Sequence, residues 1–191
     1  MIRAFVAIPL PEENQLRIKD TIETLRRLNL DARFPAVESV HLTLKFLGNI
    51  EEADVPAIAS ALDECCQTQS PFPVHLNGLG AFPHSANPRV IWMSVRAGRE
   101  LDELQQLLET QLVDLGFEAE ERPFRPHLTV ARVKSRKNLK ELLRLLSSAH
   151  NNFSAGSFQV KSAALYRSEL KPSGAVYSIL HQFFLKEGPA E

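Results

Sequence analysis

The sequence is poor in cysteine: only Cys65 and Cys66 occur among 191 residues, and they are adjacent. Neighbouring cysteines rarely bridge each other, and two thiols build neither a disulfide framework nor a zinc site. The expectation is a reduced, cytoplasmic compartment. No apolar run approaches the ~18–20 residues of a membrane span. Met1 to Leu10 reads as a strand that runs into Pro11 and acids, without the basic leader and cleavage site of a secretory signal. No membrane partner is expected. A Gly-x-x-x-x-Gly-Lys-Ser/Thr phosphate loop is missing, which disfavours ATP-driven chemistry, and Gly78-Leu79-Gly80 is too short a signal to replace it. Net charge is also nearly missing, at −1, so no global field draws the chain onto nucleic acid. What remains is ordinary globular material, 44% hydrophobic and 24% charged. The length suits one domain or two small ones, with a sizeable core that needs no staple.

The charge is unevenly placed. Glu100 to Glu121 carries eight acids and no Lys or Arg, whereas Arg122 to Arg144 carries eight bases and the single acid Glu141. One reading is a solvated acidic helix followed by a basic loop and helix. The other is a local phosphate-attracting rim, large enough for a nucleotide or an RNA end.

Ile2 to Ile8 has the β-branched and aromatic content of a buried strand. Glu12 to Leu28 stripes Ile18, Ile22, Leu25 and Leu28 along one helical face. His41 to Leu47 predicts a strand closed by Gly48-Asn49, followed by a helix with Asp54 as its cap and Pro56 in its first turn. Phe72 to Gly80 predicts a strand. The order then restarts: a strand at Arg89–Val95, a leucine-striped helix ended by Gly116, a strand at His127–Val133, and a helix on Leu139, Leu142, Leu143 and Leu146. Strands are predicted at Phe158–Tyr166 and Val176–Phe184, with a tail from residue 186.

One offset organises this repetition. His41-Leu42-Thr43 recurs 86 residues later as His127-Leu128-Thr129. At the same offset Arg3 meets Arg89, Phe72 meets Phe158 and Val74 meets Val160. Matching points in three strands share one register, which predicts a duplicated chain with lobes at about 1–86 and 87–185. Strand exchange between the lobes stays open. The fold class expected is α+β: a bilobal single domain with two antiparallel-rich sheets facing a central cleft and helices outside.

Residues i and i+2 of a strand share a face. His41 and Thr43 therefore oppose Leu42 and Leu44, and His127 and Thr129 oppose Leu128 and Val130. With six His and six Thr in the chain, random placement gives roughly 0.2 His-x-Thr triplets, yet there are two, in repeat register. Two imidazoles across a cleft suit in-line displacement at phosphorus. One takes a proton from the attacking oxygen and the other gives one to the leaving oxygen. The threonine hydroxyls can bond the non-bridging oxygens, where charge grows. The motifs carry no companion carboxylate or third histidine at ligand spacing, so neither metal nor other cofactor is expected. His75, His84, His150 and His181 show no such pairing and read as structural or surface residues.

These residues resemble the 2H phosphoesterase superfamily. More closely, the chain is similar to the bacterial and archaeal RNA 2′,3′-cyclic phosphodiesterases, also called 2′-5′ RNA ligases. The similarity lies in Arg3-Ala4-Phe5-Val6-Ala7-Ile8, in the segment from His41 to Gly48, and in Pro88 to Trp92. It continues through Phe124 to Arg132, Leu165 to Ser168, Leu170 to Gly174, and Tyr177. The resemblance implies the bilobal α+β fold and metal-independent opening of RNA 2′,3′-cyclic phosphate ends to 2′-phosphates. It implies His41 as proton donor and His127 as proton acceptor, with Thr43 and Thr129 beside them. Reversal of the same chemistry with a 5′-hydroxyl RNA would form a 2′-5′ linkage.

Arg132 resembles the arginine that ends the family's second motif. Strict alternation puts it on the wrong face, so a bulge or strand end must turn it. Phe46 either stacks a base or belongs to the core. Lys45, Arg125 and Arg167 are further candidates for holding phosphate. The partners expected are RNA ends or oligonucleotides with 2′,3′-cyclic phosphate, met by a monomer. Two alternatives are a nucleotide- or RNA-binding module without turnover, and a 2H phosphodiesterase acting on 2′-5′ oligonucleotides.

Overall fold

The computed structural model describes residues 1–147, 151–172 and 174–186. Most of the expected tail, and His150, lie outside these residues. The architecture is α+β, as the sequence pattern predicts. The elements are β1 (Ile2–Pro9), α1 (Glu12–Arg27), β2 (Ala32–Arg33), β3 (His41–Ile50), α2 (Val55–Cys66), β4 (Phe72–Phe82), β5 (Val90–Ala97), α3 (Arg99–Asp114), β6 (His127–Val133), α4 (Leu139–Leu146), β7 (Ser154–Val160), β8 (Ser162–Lys171) and β9 (Gly174–Phe184). One antiparallel sheet has the order β3-β1-β8-β9 and the other β2-β6-β5-β4-β7.

The sheets do not follow the two halves of the chain. β4, from the first half, lies inside the five-stranded sheet, and β8 and β9 return to the four-stranded one. The segment predicted as a single strand at Phe158–Tyr166 is two strands in different sheets, broken at Lys161. The offset of 86 has a geometric counterpart at this crossing. β4 and β7 pair with Phe72 opposite Val160 and Val74 opposite Phe158, so Pro73 faces Gln159, its own counterpart in the repeat. A local twofold axis passes through that pair.

The helices cover the outer faces through their apolar stripes. α1 buries Ile18, Ile22 and Leu25 and packs toward β7 and β6. α2 and α3 pack on each other, α3 against β3 and α2 against β9. Leu101, Leu104, Leu108 and Leu112 of α3 are all buried. Asp54 stands at the N-terminus of α2, but its side chain makes no cap hydrogen bond; a short 3-10 turn, Glu52–Asp54, leads into the helix instead. The core is a single apolar cluster with contributions from both sheets, including Ile8, Leu42, Met93 and Leu128. No helix among the described residues is long and apolar enough to cross a membrane.

Matched irregularities in β3 and β6 decide which side chains leave the core. β1 pairs Ala7 with Thr43 and Val6 with Lys45, which leaves Leu44 as an extra residue in β3. β5 pairs Trp92 with Thr129 and Ile91 with Ala131, which leaves Val130 extra in β6. Leu44 and Val130 are repeat counterparts, so both halves carry the same bulge at the same place. β3 extends beyond the predicted closure to Ile50 by a second shift at Leu47, with Gly48 at φ +72°, a left-handed conformation that glycine adopts without strain.

Candidate active site

β3 and β6 approach each other where the two sheets meet. His41 and Thr43 share a half-buried face of β3, opposite the buried Leu42 and Leu44. His127 and Thr129 do the same on β6, opposite Leu128 and Val130. Among the described residues neither threonine hydroxyl has a protein partner.

The two imidazoles are held alike. His41 Nδ1 lies 2.8 Å from the Ser39 carbonyl oxygen, and His127 Nδ1 lies 2.7 Å from the Arg125 carbonyl oxygen. A carbonyl oxygen only accepts, so each Nδ1 carries the proton and donates it. In the neutral ring that leaves Nε2 with its lone pair, available for proton transfer. Each anchor is the backbone two residues upstream of its histidine, a second feature repeated across the halves.

The surroundings of the rings differ. His41 is stacked on Phe5 with centroids 4.7 Å apart, and Tyr177 meets it edge-on at 5.1 Å. Phe5 is stacked in turn on Tyr166, at 5.2 Å. Burial among these rings lowers the His41 pKa below its ordinary 6.5, and the Ser39 hydrogen bond opposes that shift in part. His127 meets Phe82 edge-on at 5.0 Å and Trp92 at 6.4 Å. The Trp92 indole occupies the space above Gly80, where a Cβ would stand 2.2 Å from the ring. Glycine is required there by close approach.

The bulges settle two open positions. The extra Val130 turns Arg132 onto the face of His127 and Thr129, where it is exposed opposite Val90. Leu44 does the same for Phe46, the repeat counterpart of Arg132. Phe46 is 64% exposed and tilted toward Phe5 at 6.0 Å, so it lines the cleft and is not core. The two cleft walls therefore differ at this one repeat position: an aromatic Phe46 on the four-stranded sheet stands where Arg132 stands on the five-stranded one.

Two candidates for holding phosphate leave the site. The same bulge points Lys45 inward, where it is 6% exposed. Its ammonium bonds Glu109 of α3 at 2.5 Å and the Glu118 carbonyl oxygen at 2.7 Å. Those partners neutralise it and keep it from a ligand. Arg167 alternates with Tyr166 and pairs with the buried Ala4, which places it on the face away from the cleft. There it meets Glu169 at 3.3 Å and Glu52 at 3.7 Å. Arg125 is exposed at the approach to β6, and its carbonyl is the His127 anchor. His181 pairs with Asp63 at 2.8 Å and ties β9 to α2, while His75 and His84 are exposed. Among the described residues no three His, Cys, Asp or Glu side chains gather as a metal site.

Sequence reasoning missed Arg33. It lies on β2, directly opposite Arg132. A two-residue strand carries no period that could reveal it.

Comparison with known proteins follows the same lines. Residues 11–172 match the family model of the 2′-5′ RNA ligase superfamily. An RNA 2′,3′-cyclic phosphodiesterase of Methanothermobacter thermautotrophicus is 33% identical over 184 residues, covering 96% of this chain and 99% of that protein. The crystal structure of TT0787 of Thermus thermophilus superposes with a TM-score of 0.82 at 28% identity, over 97% of this chain and 99% of that one. Escherichia coli LigT complexed with 3′-AMP superposes with a TM-score of 0.77 at 27% identity, over 96% and 98% of the two chains.

Proposed function

The chain belongs to the 2′-5′ RNA ligase superfamily, and from that membership we propose that it opens RNA 2′,3′-cyclic phosphate ends to 2′-phosphates by two-histidine acid–base catalysis. The observation that carries the mechanism is the matched anchoring of His41 and His127, which frees both Nε2 atoms for proton transfer. His127 Nε2 takes a proton from water as the water oxygen bonds to phosphorus. The bond from phosphorus to O3′ breaks, and His41 gives its proton to that oxygen. Thr43 and Thr129 donate to the non-bridging oxygens as their charge grows. The product is a chain of unchanged length ending in a 2′-phosphate.

His41 must carry a proton to serve as donor, although burial lowers its pKa in the free protein. The negative charge of a bound cyclic phosphate counters this, because an adjacent opposite charge favours the protonated ring. Reversal with an RNA 5′-hydroxyl in place of water gives a 2′-5′ linkage. Water at about 55 M outcompetes that nucleophile unless binding supplies a comparable effective molarity, so hydrolysis is the main direction. The 3′-AMP held by E. coli LigT supports nucleotide ends as the ligand class.

Histidine acid–base chemistry of this kind needs no metal, and the activity should persist in EDTA. His41→Ala and His127→Ala should each lower kcat at least ~10²-fold. Activity within a few fold of wild type in either variant, or activity lost to EDTA and restored by zinc or magnesium, would contradict the mechanism.

A further inference from the structure

We infer that Lys45 is a positioning residue for His127: with Glu109 it tethers the segment whose Arg125 carbonyl holds the His127 imidazole, and so ties the second motif to the strand that carries the first. This rests on the phosphodiesterase reading above and adds to it a residue that touches no substrate.

The two histidine anchors are built differently. Ser39, which anchors His41, ends the 3-10 turn Val37–Ser39, and that turn holds itself. The Ser39 amide donates to the Ala36 carbonyl oxygen at 2.9 Å, and the Val40 amide to the Val37 carbonyl oxygen at 3.1 Å. The repeat counterpart of this turn is Pro123–Arg125. It forms no helical turn and closes no backbone hydrogen bond on itself among the described residues. Exposed backbone of this kind opens locally at little cost, so the Arg125 carbonyl stays in place only if something else fixes it.

Lys45 and Glu109 supply that fixture. Lys45 Nζ donates to the Glu118 carbonyl oxygen at 2.7 Å, and Glu109 Oε1 accepts from the Glu120 amide at 2.8 Å. The Arg122 amide in turn donates to the Glu120 carboxylate at 3.2 Å. Among the described residues no other hydrogen bond joins residues 118–122 to the rest of the chain. From there to the anchor the chain is stiff. Pro123 and Pro126 fix their own φ and hold Arg122 and Arg125 extended. Phe124, between them, packs on the core. A shift at Glu118–Glu120 is therefore carried to the Arg125 carbonyl oxygen, which lies 2.7 Å from His127 Nδ1 and leaves the lone pair on Nε2. Lys45 lies on β3, four residues after His41, and Ala131 at its place in the repeat has no polar group. The tether is made once, and it serves the anchor that lacks a turn of its own.

The test uses the double variant Lys45→Met/Glu109→Leu, which removes the tether together with both of its buried charges. On an RNA oligomer ending in 2′,3′-cyclic phosphate its kcat should fall about 10–100-fold while KM stays within about twofold. Nitrogen NMR of the imidazoles should show His127 passing from the Nδ1–H form to a mixture with Nε2–H, while His41, on its own turn, keeps the wild-type form. A loss of stability alone would not move the tautomer. Glu109→Gln, which keeps an oxygen for Lys45 and for the Glu120 amide, should retain the wild-type tautomer and kcat. Glu120→Pro, which deletes that amide donor and leaves the Lys45–Glu109 pair intact, carries the same readouts if the double variant does not fold. A His127 tautomer unchanged from wild type would overturn the inference, whatever the rate, and leave the phosphodiesterase reading standing. Wild-type protein that leaves the cyclic phosphate intact would overturn that reading, and the tautomer then decides the positioning of His127 by itself.

Discussion

The His41 imidazole lies on the Phe5 ring with centroids 4.7 Å apart and planes 29° from parallel. That contact, closed edge-on by Tyr177, removes water from one side of the ring and favours its neutral form.

Acid stability should carry the signature of this burial. An unfolded His41 takes up a proton near its ordinary 6.5, whereas the folded ring resists it to lower pH. Between those two values the unfolded chain binds more protons, so stability falls as pH drops from 6.5 through the folded pKa. In His41→Gln that contribution is gone. The loss of Tm between pH 7 and pH 5 should be smaller in His41→Gln than in wild type. Equal losses would show that His41 titrates alike in the folded and unfolded chains.

Gly80→Ala should disturb His127 through Trp92. A Cβ at position 80 stands 2.2 Å from the indole, so the ring must move, and it meets His127 at 6.4 Å. Overpacking of this kind costs about 1–3 kcal/mol. Denaturant unfolding should show that loss, with a fall in kcat larger than any change in KM. A variant as stable and active as wild type would mean that the indole yields freely.

Lys45 is tied into a buried polar cluster, and removing it should be costly. Glu109 Oε1 accepts from both Lys45 Nζ and the Glu120 amide, while Oε2 is buried without a partner among the described residues. Lys45→Met leaves the Glu109 carboxylate uncompensated and should cost about 3–5 kcal/mol. Lys45→Met combined with Glu109→Leu removes both charges and should recover most of that loss. Additive losses in the double variant would rule out the ion pair as the source.

Arg132 and Arg167 are both sequence candidates for binding substrate, Arg132 through its motif position and Arg167 as a possible phosphate holder, and they are not equivalent in space. Arg132 shares the cleft face with His127, whereas Arg167 points away into two carboxylates. Arg132→Gln should lower kcat/KM on an RNA cyclic-phosphate end about 10–100-fold. Arg167→Gln should stay within about twofold, as exposed ion pairs contribute little. A reversed order would contradict the placement of the two faces.

Much of this was legible in the chain. Period-2 alternation marked His41, Thr43, His127 and Thr129 as sharing faces, the 3.6-residue stripes marked the helices, and the repeat aligned the motifs. The side chains beyond Thr43 and Thr129 were not legible, because one extra residue inverts every face after it. Leu44 and Val130 are ordinary strand residues that carry no composition signal for a bulge. Lys45 is buried through Glu109, 64 residues away, a contact that no local pattern encodes. Arg33 sits on a strand too short to have a period, and Phe158 to Tyr166 reads as continuous although Lys161 divides it between two sheets.

The most direct measurement incubates the purified protein, in EDTA, with an RNA oligomer ending in 2′,3′-cyclic phosphate and resolves the 2′- and 3′-phosphate products. The account predicts a 2′-phosphate on a chain of unchanged length. A 3′-phosphate product, a shortened chain, or bound RNA with its cyclic phosphate intact would contradict it.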